Sequence, residues 1–94
     1  MATDATESWR KCFQQWPDDL PRRGVLVPTF DEQIPFVNFF ASDDMVLVER
    51  RAPDAVGGRM VIIPYQNVVA LKIVDVVKPK AFSQLNFGVA QANK

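Results

Sequence analysis

Histidine is absent from the 94 residues of this chain. That removes the commonest metal ligand and the commonest general base together. A single cysteine, Cys12, excludes an internal disulfide framework. No net charge is left over either, because eleven Lys and Arg balance eleven Asp and Glu. An overall field that attracts nucleic acid or anionic lipid is therefore excluded, and such binding would need a local patch. No apolar run approaches the roughly twenty residues that span a bilayer, and the N-terminus lacks the basic, then apolar, then small-residue pattern of a signal peptide. The expectation is a soluble cytoplasmic protein without a membrane span.

What is present is apolar surface. With 48% hydrophobic residues, seven Phe and two Trp, the chain carries more apolar area than one small domain hides, so part of it is expected in a subunit interface. Ninety-four residues make one domain, since a second core would not bury enough surface to offset its chain entropy. The domain is placed at residues 6–78, after a disordered start at 1–5 and before a tail at 79–94 in which Phe82, Leu85 and Phe87 suggest a short helix.

From about Thr6, the positions Trp9, Cys12, Phe13 and Trp16 follow the spacing of one helical face, and Pro17 stops it. Thr3, Asp4 or Thr6 would cap this helix. Cys12 is read as a small apolar residue of the buried stripe rather than a reactive thiol. A connector from Pro17 to Gly24 leads to five strands. The first, Val25 to Phe30, contains Pro28, which cannot donate to a ladder and calls for an edge or a bulge. The second, Ile34 to Phe40, follows the turn Asp31-Glu32-Gln33 and sends Ile34, Phe36, Asn38 and Phe40 to one face. Ala41 to Asp44 is a hairpin turn. The third strand runs from Met45 to about Arg51. A loop then carries Gly57-Gly58, which has neither a Lys nor a following helix and is no phosphate cradle. The fourth strand, Met60 to Ile63, breaks for one turn at Pro64-Tyr65-Gln66-Asn67 before the fifth, Val68 to about Val77. Strands so apolar on both faces must be covered, because an open edge of that kind aggregates. The fold expected is mainly β: an N-terminal helix followed by a five-stranded, strongly bent antiparallel small β-barrel.

Two motif-like stretches resemble the Sm-like family, which covers roughly Trp9 to Val74. Asn38-Phe39-Phe40-Ala41-Ser42-Asp43-Asp44 stands where that family has Gly-x-Leu-x-x-x-Asp. Asp44 matches, Phe40 replaces Leu and Asn38 replaces Gly. Ile63-Pro64-Tyr65-Gln66-Asn67-Val68 stands at the second motif, where the bacterial RNA-chaperone branch carries Tyr-Lys-His. Tyr65 keeps the aromatic ring, while Gln66 and Asn67 replace the cation and the imidazole. The resemblance implies a homo-oligomer, ring-forming, with the turn at Ala41 to Asp44 and the break at Pro64 to Asn67 lining a pore. Single-stranded RNA would then contact Ser42, Asp44, Tyr65, Gln66 and Asn67, the ring stacking on a base and the amides reading its edge. A weaker resemblance, on Ser42-Asp43-Asp44 and Val61-Ile62-Ile63-Pro64-Tyr65, is to pleckstrin-homology and GRAM domains and implies lipid binding.

Enzymatic function is not expected. The carboxylate pairs Asp18-Asp19, Asp31-Glu32 and Asp43-Asp44 are adjacent in sequence, and neighbouring strand residues face opposite ways. Each reads as a turn or cap. No metal or other cofactor is implied. The alternative to RNA binding is a non-enzymatic module that recognises another protein.

Overall fold

A computed structural model of the chain describes residues 5–30, 32–85 and 87. Helix α1 spans Thr6–Gln14, as the stripe of apolar residues requires. It stops where it does because Pro17 holds the residue before it out of helical geometry. Ala5 occupies the N-cap without a side-chain cap; Thr3 and Asp4, two of the expected caps, lie outside the described residues, as does most of the start expected to be disordered. Asp31, at the turn before the second strand, also lies outside them.

Five strands follow: β1 Gly24–Pro28, β2 Ile34–Ala41, β3 Met45–Arg50, β4 Met60–Pro64 and β5 Val68–Lys72. A 3₁₀ turn, Tyr65–Asn67, joins the last two. All pairings are antiparallel, in the order β4-β3-β2-β1-β5. The ladder runs from β4 at one end to β5 at the other, giving the N-terminal helix and five-stranded antiparallel sheet that the sequence predicts.

Two register breaks shape the sheet. On β2, Phe36 pairs with Arg50 and Asn38 with Glu49, which makes Val37 an extra residue. Such a bulge shifts the alternation by one. Ile34 and Phe36 face the core, but beyond the bulge it is Phe39 that turns inward and Phe40 that is exposed. The strict period of two placed these two residues on the wrong faces. The second break lies between Val27 and Pro28 of β1, where β5 supplies the extra residue, Val69. The bulge that Pro28 calls for is thus present, and β1 runs inside the sheet rather than at its edge. At the other end of β1, a Cβ on Gly24 would lie 2.5 Å from the Lys72 carbonyl oxygen. Only glycine lets the two backbones approach so closely.

The fifth strand is shorter than the apolar run that suggested Val77 as its end. Lys72 pairs with Val25, and β1 begins one residue earlier, so the chain beyond has nothing to pair with. Arg23 instead holds Asp75 in a bidentate ion pair, Nη2 to Oδ1 at 2.6 Å and Nε to Oδ2 at 3.1 Å. That pair keeps the Asp75 carboxyl below the usual carboxylate range. The chain then forms a 3₁₀ helix, Pro79–Leu85, where a short helix was expected, and Phe82 packs against the core.

An aromatic cluster joins helix to sheet. The Phe13 ring meets Phe39 edge-on, with centroids 5.0 Å apart. Trp16 meets Phe39 at 4.8 Å. Rings offset or edge-on at such separations add about 0.5 to 1.5 kcal/mol per pair beyond burial. Leu26, Val46, Val48 and Ile63 complete the core beneath.

Candidate functional site

The hairpin turn after β2 is built by Ser42. Its N–H and Oγ both donate to the Met45 carbonyl, at 2.8 and 2.9 Å, and the Met45 N–H donates back to Oγ at 3.1 Å. The 3₁₀ turn docks on this hairpin through Tyr65. Its N–H donates to the Asp44 carbonyl at 3.0 Å, and its hydroxyl donates to the Ser42 carbonyl at 2.7 Å. Ser42, Asp44 and Tyr65, three of the residues singled out in the sequence, therefore do meet at one corner.

They do not meet as an open stacking site. The Tyr65 ring is 0% exposed, stacked beneath Phe13 of α1 at 6.0 Å. Burial pushes its hydroxyl pKa above the ordinary tyrosine value. The ring expected to be exposed is part of the core, because α1 crosses this corner and Gln14 reaches the Ser42 carbonyl and the Asp43 carboxylate, each at 3.3 Å. Asn67 is turned away, its side-chain amide donating to Thr29 Oγ1 at 2.9 Å while its carbonyl accepts the Thr29 N–H at 2.8 Å. Gln66 and the Asp44 carboxylate face solvent. Removing the hydroxyl in Tyr65→Phe should lower stability by about 1 kcal/mol, the usual net worth of such a bond, measurable by urea unfolding. Were Tyr65 a surface residue, the change would be neutral.

The arginines that could have formed a basic patch are largely engaged. Arg22 lies 3.8 Å over the Phe39 ring and donates to the Phe39 carbonyl at 2.6 Å. Arg23 holds Asp75, and Arg50 donates to the Ala52 carbonyl with Glu32 at 3.9 Å. Arg51 and Arg59 remain exposed. Among the described residues no group of three or more Cys, Asp or Glu is placed to hold a metal ion, and no helix is long and apolar enough to cross a membrane. Cys12 lies half-buried, and burial pushes its thiol up to about 11, the opposite of what a nucleophile needs.

The surface feature with the strongest physical consequence is the β4 side of the sheet. The Arg50 N–H donates to the Arg59 carbonyl, as Tyr65 does to Asp44. Alternation along an antiparallel pair then turns the backbone groups of Val61 and Ile63 toward β3 and those of Met60 and Ile62 outward. Pro64 offers only its carbonyl on that edge. The strand Met60–Pro64 contains no charged residue. On the outer face of the sheet, Phe40 pairs with Leu47 and Leu47 with Ile62. Phe40 and Ile62 are more than half exposed, with Met45 and Met60 beside them. At the other end of the sheet, Val69 on β5 is also exposed. No family model matches the chain, and neither a curated protein nor a solved structure matches it.

Proposed function

We propose that this chain is an Sm-like, non-enzymatic interaction module that binds protein through its free sheet edges, in the first place further copies of itself. The observation that carries this reading is β4, an uncharged strand with outward-facing backbone groups and an exposed apolar row reaching Phe40. A row of unpaired N–H and C=O groups is a template for another strand. Proteins that leave such an edge uncovered blunt it with Lys, Pro or a bulge, and β4 has only Pro64 at its end. The Sm-like resemblance supports the same reading, because the helix-first order and the one-turn break before β5 are both present.

Light scattering behind size exclusion tests this directly. Oligomers whose mass rises with concentration are expected, and a chain that stays monomeric at high micromolar concentration overturns the proposal.

RNA binding is the weaker reading. Its stacking ring lies under α1, and Asp43 and Asp44 place carboxylates at the same corner, where they repel phosphate. The expected result is no salt-dependent affinity for single-stranded RNA at low ionic strength. In this reading Tyr65→Ala acts on stability. A folded Tyr65→Ala variant that loses about 1 to 3 kcal/mol of RNA affinity, the worth of one stacked base, would reverse the ranking.

A further inference from the structure

Helix α1 and the chain beyond β5 do not close on each other. Between them lies a cleft of about 420 Å³, walled by Trp9, Cys12 and Trp16 on one side and by Ile73, Val77 and Phe82 on the other. This lies within the ordinary range for small-molecule sites, about 300 to 1,000 Å³. A second cleft of about 340 Å³ shares Trp9, Cys12 and Leu85 with the first and adds Ser8, Lys11 and Gln15. Among the described residues, Lys11 is the one charged side chain that lines either space.

We propose that this trough binds a single-chain anionic amphiphile, a free medium-chain fatty acid. The alkyl tail lies along Trp16, Val77 and Phe82, where its transfer from water supplies the driving force. The carboxylate sits at Lys11, with Ser8 and Gln15 able to donate to it. The Lys11 ammonium is 4.0 Å from the Glu7 carboxylate and both are largely exposed, so the lysine can be shared with a ligand at little cost. Two adjoining spaces, one lined by apolar residues and the other carrying a single cation, match that chemistry in volume and charge. This site does not rest on the sheet edges, and failure of the self-association proposal leaves it standing.

Both tryptophans of the chain border the cleft, so intrinsic fluorescence reports on it. Titrating the full chain with dodecanoate below its micelle concentration should give a saturable change with one site per chain. Lys11→Gln should weaken dodecanoate roughly two- to fivefold, the range of an exposed ion pair, and leave uncharged dodecanol unchanged. Val77→Phe, which fills the cleft, should weaken both roughly tenfold. In the unmodified chain, bound dodecanoate should also slow maleimide labelling of Cys12, with the same midpoint as the fluorescence change. Absence of a saturable signal, an unchanged labelling rate, or equal affinities in the wild type and a folded Val77→Phe variant would overturn the proposal. Equal dodecanoate affinity in Lys11→Gln would overturn the assignment of the carboxylate. Dodecanoate that acts only by changing the oligomer mass would show that a second copy occupies the trough instead.

Discussion

Trp16→Ala should destabilise the domain by about 3 to 5 kcal/mol, the usual cost of truncating a buried aromatic, and leave little folded protein at 37 °C. Trp16 stands two residues past the end of α1, where the chain has already turned into the connector. Its ring meets Phe39 edge-on and stacks with Phe13, while its indole N–H donates to the Leu20 carbonyl at 2.9 Å. One side chain therefore ties three segments together: the helix end, the connector and the central strand β2. Small domains hold only about 5 to 15 kcal/mol in total, so the loss takes a large share. Trp16→Phe separates the two contributions. It keeps most of the ring packing and loses the indole donor, and should cost about 1 to 3 kcal/mol, the penalty of an unpaired buried acceptor added to lost volume. Val56→Ala, on the exposed loop, serves as the neutral control. A melting temperature unchanged in Trp16→Ala would show the helix to be an appendage on a sheet that folds without it.

Much of this architecture was legible because local rules and tertiary packing agree along the chain. The stripe Trp9, Cys12, Phe13 and Trp16 does face the core or pack against it, and Pro17 does end the helix. Each strand begins within a residue of where alternation and turn chemistry place it. The errors arise where one residue is inserted or where a distant partner decides. Val37 is an ordinary β-former, and nothing in Phe36-Val37-Asn38 announces that it is the extra residue of a bulge. That single insertion exchanges the fates of Phe39 and Phe40.

Tyr65 was misjudged for the second reason. A tyrosine in a one-turn break between strands has the local signature of a surface residue, and only the path of α1 across that corner buries it. The carbonyl of Ser42, 23 residues away, holds its hydroxyl. The end of β5 was set in the same way by the length of β1 and by the pull of Arg23 on Asp75, neither of which is local to Ile73 or Val74. The corner that resemblance marked as a binding site is thus a place where helix, hairpin and turn are fastened together.

If copies of the chain pair through β4 as proposed, Ile62→Lys should hold the chain monomeric while leaving the fold intact. Ile62 is 59% exposed and belongs to the edge strand, so within one chain the substitution removes little packing, and an effect on stability within about 0.5 kcal/mol is expected. Against a neighbouring strand the same lysine must either desolvate its charge or keep the partner away, which is how natural sheet edges are protected. Scattering mass and melting temperature measured on the same sample distinguish dissociation from unfolding. Val69→Lys, at the opposite end of the sheet, decides the geometry. If β4 of one copy pairs with β5 of the next, the contact is heterologous and either lysine alone abolishes it. If β4 pairs with β4 about a two-fold axis, Val69→Lys leaves the dimer untouched. Mixing the two variants completes the test: in the heterologous case the intact β5 of an Ile62→Lys chain meets the intact β4 of a Val69→Lys chain. The pair so formed has a blocked edge at each end and cannot grow. A one-to-one heterodimer from two monomeric variants is therefore the signature expected of head-to-tail pairing, and a mixture that remains monomeric excludes it.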